Sequence, residues 1–251
     1  MISPVIVTEH LTKDHMSHFL RKRFRALDGL TLSVDRSETY GLIGLNGAGK
    51  TTTLKLLLGL LKPTSGSVSV LGSPGGAQQT LRKIGFLPES PHFYSYLTGA
   101  EFLDFSGKVF GLTKVECKER AADLLKMVSL TEAAKTAIGK YSKGMMQRLG
   151  IAQSLINDPE IIFWDEPTSG LDPIGRRDVR MILLKLKEQG KTIFLNSHLL
   201  PDVNEVCDRV GVLHRGRLVG TDKISSITGG GSYQDLEAYF LECISSSEVK
   251  V

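Results

Sequence analysis

Gly44-Leu45-Asn46-Gly47-Ala48-Gly49-Lys50-Thr51-Thr52 limits the fold more than any other stretch, because Gly44, Gly49, Lys50 and Thr51 stand in G-x-x-x-x-G-K-[ST] spacing. Glycines let successive backbone N–H groups converge on phosphate oxygens where a Cβ would intrude, and a helix beginning there aims its positive end at the same anion. A bound nucleoside triphosphate is therefore expected, with Lys50 on the β/γ-phosphates and Thr51 as a Mg²⁺ ligand. Tyr40-Gly41-Leu42-Ile43 reads as a buried strand before the loop and residues 52–61 as a helix after it. Strand, loop and helix thus come in the order such a cradle requires, which a chance glycine-rich turn would not.

At 251 residues the chain is long enough for one large domain, or one domain with a subdomain, and for a sizeable core. Its 41% hydrophobic and 23% charged residues are ordinary globular values. A formal charge of +4, from 31 basic and 27 acidic residues, is too small to argue for nucleic acid by itself. Cys117, Cys207 and Cys243 are odd in number, far apart and without C-x-x-C spacing, so neither a disulfide framework nor a zinc site is expected, and a reducing cytosol is the simpler home. No basic-plus-apolar leader and no 18-residue apolar run is present. If the protein acts at a membrane, another polypeptide must do the spanning.

Val5-Ile6-Val7, residues 30–34 and Ser67-Val68-Ser69-Val70-Leu71 read as a small antiparallel layer. Between Pro88 and Asn157 apolar residues recur at three and four spacing, as expected for an inserted helical subdomain over about 89–157. Ile161-Ile162-Phe163-Trp164 and Thr192-Ile193-Phe194-Leu195 then alternate with a helix-like stretch over 176–188, as in a parallel α/β sheet. Thr228-Gly229-Gly230-Gly231-Ser232 reads as a flexible joint before a final helical segment over 234–244. The expected division is a main domain over 1–227 and a joint plus helix over 228–251.

Asp165 and Glu166 close the apolar strand at 161–164, and the C-terminal edge of such a strand is where a parallel α/β sheet binds ligands. Asp165 is placed to hold Mg²⁺, and Glu166, pointing differently, to orient or deprotonate the water that attacks a γ-phosphate. A solvated acidic turn is the plainer alternative; the upstream phosphate loop argues against it.

Tyr141-Ser142-Lys143-Gly144-Met145, followed by Gln147-Arg148, resembles the signature motif of ATP-binding-cassette (ABC) transporter ATPases. Ser169-Gly170-Leu171-Asp172 is similar to that family's D-loop, and Asn196-Ser197-His198 to its switch histidine. The resemblance runs from about residue 5 to 245. It implies an α/β fold: a P-loop cassette with a RecA-like parallel sheet core, an antiparallel β subdomain and an inserted α-helical subdomain. It implies ATP as substrate, Mg²⁺, and two cassettes that dimerise head to tail, as a homodimer or a pair. Ser142 and Gly144 would then bind the γ-phosphate held by the partner cassette, Asp172 would be near nucleotide, and His198 would contact the γ-phosphate. A hydroxyl capping a helix is the plain reading of Ser142 without the other motifs. His10, His15, His18, His92 and His214 have no motif support.

Three departures stand out. Glu89, in Gly85-Phe86-Leu87-Pro88-Glu89, occupies the place of the usual Q-loop glutamine; it can still ligand Mg²⁺ through oxygen, but it carries a charge, and activity is expected to survive. Lys143 stands where glycine is commoner and Met145 where glutamine is. The aromatic residue that stacks on adenine has no single counterpart: His15 occupies the expected position, with Phe19 and Phe24 as alternatives beside the basic run Arg21-Lys22-Arg23-Phe24-Arg25, which reads as solvated surface.

The resemblance implies an ATPase subunit of a transporter, peripheral on the cytoplasmic face of the membrane and coupled to membrane-spanning permease subunits. Export is the implied direction, and Pro91-His92-Phe93-Tyr94 are the exposed aromatics suited to docking. The rival is a soluble ABC ATPase acting on DNA or the ribosome. Lys50 and Ser142 lie only 92 positions apart, too close for the long coiled coil of chromosome-associated members. A single cassette likewise disfavours the translation-associated members, so no nucleic-acid partner is expected. Lys50, Asp165, Glu166 and His198 together disfavour a non-catalytic cassette.

Overall fold

A computed structural model of the chain describes residues 4–16, 23–229 and 232–248. In chain order the first elements are β1 (Pro4–Met16), β2 (Arg23–Asp35), β3 (Thr39–Ile43), α1 (Lys50–Leu57), β4 (Ser65–Val70), β5 (Ser73–Pro74), α2 (Gln78–Leu81) and β6 (Ile84–Leu87). Then come α3 (Gly99–Phe110), α4 (Lys114–Met127), α5 (Lys143–Ser154), β7 (Ile161–Asp165), α6 (Pro173–Glu188) and β8 (Thr192–Ser197). The last are α7 (Leu200–Val206), β9 (Arg209–His214), β10 (Arg217–Lys223), α8 (Ile224–Thr228) and α9 (Tyr233–Glu248). These divide into two compact units: described residues of Met1–Leu81 with Thr192–Val251, and Arg82–Lys191.

In the first unit, β3 has five residues and no exposed side chain, as a strand covered on both faces must. It is parallel to β8 on one side and β9 on the other, while β10 runs antiparallel along β9. Tyr40 stacks on Phe194 of β8 with ring centroids 5.6 Å apart. The antiparallel layer, ordered β2-β1-β4-β5, lies in the same unit. Its first two strands are 13 residues each, longer than the apolar stretches at 5–7 and 30–34 suggest. The extra length is polar: past the covered part, a bulged ladder carries Asp14 opposite Arg25, an ion pair at 2.9 Å.

One reading needs correction in this unit. The helix after the loop covers Lys50–Leu57 rather than 52–61. Leu58-Leu60-Leu61 would continue its apolar pattern, but Gly59 takes φ 69° and its N–H closes on the Leu56 carbonyl at 3.0 Å, the usual left-handed helix stop. The parallel strands carry an antiparallel edge, since β10 pairs with β9 across a two-residue turn. Arg215 and Gly216 there have φ 46° and 81°, the type I′ geometry that matches strand twist. Of the Gly-rich joint, Gly230 and Gly231 lie outside the described residues, as do Phe19 and, in the basic run, Arg21 and Lys22.

In the second unit β6 and β7 pair in parallel, with Leu87 opposite Trp164, and β7 is wholly buried. Helices α3 and α4 open with capping boxes, Thr98 with Glu101 and Thr113 with Glu116. Ser142 caps α5 and Asp172 caps α6. No helix among the described residues is long and apolar enough to cross a membrane. None of the three cysteines forms a disulfide; Cys117 and Cys207 are buried and Cys243 partly so.

Candidate functional site

The phosphate loop leaves the end of β3 and enters α1 with its tip, Leu45-Asn46-Gly47, exposed, while Gly44, Ala48 and Lys50 are buried. Both motif glycines are demanded by what they touch. A Cβ on Gly44 would stand 2.4 Å from the backbone carbonyl oxygen of Leu213 in β9. At Gly49 φ is 113°, and a Cβ would stand 2.7 Å from the Ala26 carbonyl oxygen. Gly49 is also the N-cap of α1, and having no side chain it leaves the first-turn N–H groups to a ligand. Lys50, 7% exposed, folds inward and donates from Nζ to the Gly44 carbonyl at 2.7 Å. Thr51 is exposed and Thr52 half-buried on the first turn of α1.

The loop rests on the β9–β10 turn. Gly216 N–H donates to the Ala48 carbonyl and the Gly216 carbonyl accepts from Asp28 N–H, both at 2.9 Å. Sequence reasoning missed this support, although Arg215-Gly216 between Val-rich and alternating stretches is a hairpin signal. In the same unit His198 lies one residue past β8 and is exposed. Ile43 pairs with Ser197, so His198 and Gly44 leave neighbouring strands at the same edge. At the far end of the β1–β2 ladder, His15 lies opposite Phe24, which is 60% exposed; paired positions share a face.

In the second unit Asp165 ends β7 and Glu166 follows it, 2% and 6% exposed. Glu166 has φ 51°, the left-handed region that costs a residue with a Cβ about 1–3 kcal/mol and gathers at functional sites. Glu89 is exposed two residues past β6, at the edge of the β6–β7 pair where β7 delivers Asp165.

Ser142 Oγ accepts from Met145 N–H at 3.2 Å, which leaves its own O–H free to donate. Tyr141, just before it, donates to the Ala133 carbonyl at 2.8 Å, and burial raises its hydroxyl pKa. A Cβ on Gly144 would meet Leu171 Cδ2 at 3.5 Å and Ser142 Oγ at 4.0 Å, ordinary van der Waals contact. Lys143 lies over Gly170, whose φ is 70°. Asp172 is exposed and Oδ1 accepts from Gly175 N–H at 2.7 Å.

The sequence profile of the family described as ABC transporter matches residues 27–169, the stretch holding the phosphate loop, Ser142 and the acidic pair. The chain belongs to the ABC transporter family. An uncharacterized ABC transporter ATP-binding protein of Synechocystis sp. is 46% identical to this ABC cassette over 228 residues, 90% of this chain and 64% of the relative. The bacitracin transport ATP-binding protein of Bacillus licheniformis is 41% identical over 221 residues, covering 87% of the cassette and 69% of that protein. The cassette thus spans about two thirds of these curated relatives' length. Among solved structures, a dimeric ATP-binding cassette in a post-hydrolysis state, bound to ADP and Pi, superposes with a TM-score of 0.80 at 27% identity, over 87% of the cassette and 98% of that chain. The fold is accordingly the α/β ABC cassette, with mixed sheets and helices.

Proposed function

We propose that this cassette is the ATP-binding and ATP-hydrolysing subunit of an ABC transporter, powering transport, in the export direction, through separate membrane-spanning subunits. The observation that carries the reading is the phosphate loop: two glycines held against Leu213 and Ala26, a glycine N-cap on α1, and Lys50 turned into the loop. Gly44, Leu45, Asn46, Gly47, Ala48, Gly49, Lys50, Thr51 and Thr52 bind the phosphates. Glu166 orients the attacking water as general base, and His198 contacts the γ-phosphate. Ser142 and Gly144, with Asp172, serve the nucleotide held by a second cassette, in a homodimer or a pair.

Thr51, Asp165 and Glu89 would hold Mg²⁺; a hydroxyl and carboxylates are the hard oxygen donors this ion takes beside phosphates. When bound, the ion offsets negative charge on the phosphates. Adenine is assigned to the face shared by His15 and Phe24, an imidazole and a phenyl ring on one side of the β1–β2 ladder. Residues 1–227 form the ATPase domain with 89–157 as its helical subdomain, and 228–251 form a joint and terminal helix. The cassette sits at the cytoplasmic face of the membrane, with no nucleic-acid partner.

For permease docking, Tyr94 is 53% exposed and Tyr96 75%, and Tyr94 packs edge-on against the half-exposed Phe105 at 6.3 Å. Phe93 is only half-buried, its ring T-shaped against Phe102 at 5.0 Å, so the aromatic surface is Tyr94, Tyr96 and Phe105 more than Phe93. Tyr94→Ala is expected to uncouple transport from hydrolysis at unchanged stability, and Phe93→Ala to uncouple it with some loss of stability. Coupled transport in the double variant, measured in vesicles, would move the docking surface elsewhere.

The direct test is affinity purification of the cassette from membranes of its native cell, with co-purifying polypeptides identified by mass spectrometry. A stoichiometric multi-span protein is the expected result. Recovery with ribosomes or DNA-bound proteins instead would promote the rival class.

A further inference from the structure

Gln147 is a motif residue that the nucleotide chemistry above leaves without a task. It lies on α5, is 4% exposed, and donates from Nε2 to the carbonyl oxygen of Pro167 at 3.0 Å. A carbonyl only accepts, so the amide nitrogen is the end of Gln147 that makes this bond. Pro167 directly follows Glu166, the left-handed residue, and the Glu166 carbonyl accepts from Ser169 N–H at 3.0 Å to close a turn over 166–169. The other end of α5 is tied to the same strand: the Trp164 indole donates to Ser154 Oγ at 3.0 Å, and that hydroxyl donates to the Ile151 carbonyl at 2.8 Å. Helix α5 begins at Lys143, capped by Ser142. The helix that presents Ser142 and Gly144 is therefore hydrogen-bonded to the residues on either side of the Asp165-Glu166 pair.

We propose that Gln147 is a positioning residue that holds the 166–169 turn, and with it the Glu166 carboxylate, to α5, so that contact at the start of α5 sets the orientation of Glu166. The proposal rests on Glu166 being the group that orients the attacking water. A left-handed residue with a Cβ stays so only where its surroundings hold it. The peptide next to Glu166 has its carbonyl bonded within the turn, to Ser169 N–H, and Gln147 grips the carbonyl of the peptide after it, that of Pro167.

The test compares Gln147→Leu, which removes the donor at similar size, with Gln147→Glu, whose carboxylate accepts but donates only when protonated. Turnover and KM for ATP are measured on the full chain from pH 5.5 to 8.5, with Glu166→Gln alongside and hydrogen exchange read at residues 165–171. Gln147→Leu is expected to lower kcat by about ten- to a hundredfold, the scale of an ångström's misplacement, with KM nearly unchanged and faster exchange at Ser169. In the Glu166→Gln background it adds no further loss. The deficit of Gln147→Glu relative to wild type narrows as pH falls, because protonation restores a donor. Unchanged kcat and exchange in Gln147→Leu overturn the proposal; should that variant fail to fold, a pH-independent deficit in Gln147→Glu overturns it. Wild-type turnover in Glu166→Gln removes the reading beneath it, a result distinct from either.

Discussion

Glu166→Gln is expected to bind ATP as well as the wild type and to hydrolyse it about a hundredfold or more slowly, the scale of losing a positioned general base. The substitution keeps size and hydrogen-bonding reach but removes the basic oxygen. Binding should survive because the residues proposed to grip the phosphates, 44–52, follow β3, a different strand from the one that delivers Glu166. The left-handed backbone at Glu166, φ 51°, adds a second expectation. Glycine takes that conformation without steric cost, so Glu166→Gly should lose hydrolysis and yet melt higher. Calorimetric ATP binding, phosphate release and thermal melts on the same preparations check all three, and wild-type turnover in Glu166→Gln would sink the assignment of this residue.

Alanine at Gly44 or Gly49 should have the opposite signature, weak binding first and slow hydrolysis only as its consequence. At Gly44 the added Cβ would sit 2.4 Å from a backbone oxygen of β9, and at Gly49 2.7 Å from that of Ala26, so the backbone rather than a flexible side chain must move. At Gly49 the φ of 113° adds strain of its own. Strain of roughly 1–3 kcal/mol loaded onto the loop would weaken ATP binding by about 5- to 150-fold. Gly47 is the control: it too has a positive φ, 80°, but open space around it, so Gly47→Ala should cost less than either. Equal affinities for all three variants would mean that the loop tolerates displacement and that its glycines are not there for close approach.

Much of the fold was readable because the chain's apolar runs are short, bounded and of two clear periods. Tyr40 to Ile43, Ile161 to Trp164 and Thr192 to Leu195 became β3, β7 and β8, and the helical block resolved into α3, α4 and α5. The misreadings share one cause, that periodicity registers what is buried and not what stops it. Leu58, Leu60 and Leu61 prolong the pattern of α1, yet Gly59 ends the helix by turning left-handed. Polar extensions of β1 and β2 have no apolar alternation to announce them, because ladder hydrogen bonds and the Asp14–Arg25 pair need none. Strands β9 and β10 were missed as short runs, although the Arg215-Gly216 turn was there to be read.

Sequence alone determined the chemistry on offer, because residue type and spacing decide which donors, acceptors and small residues are available: the glycines and Lys50 of the loop, the Asp165-Glu166 pair, Ser142 with its helix, and His198. Tertiary structure decided why those types are required where they stand. Only folding brings the Leu213 carbonyl against Gly44, the Gly216 amide under Ala48, and the Gln147 amide onto Pro167, 20 residues away in the chain. Such contacts depend on how two distant backbones approach each other, a quantity that no local pattern of hydrophobicity or charge encodes.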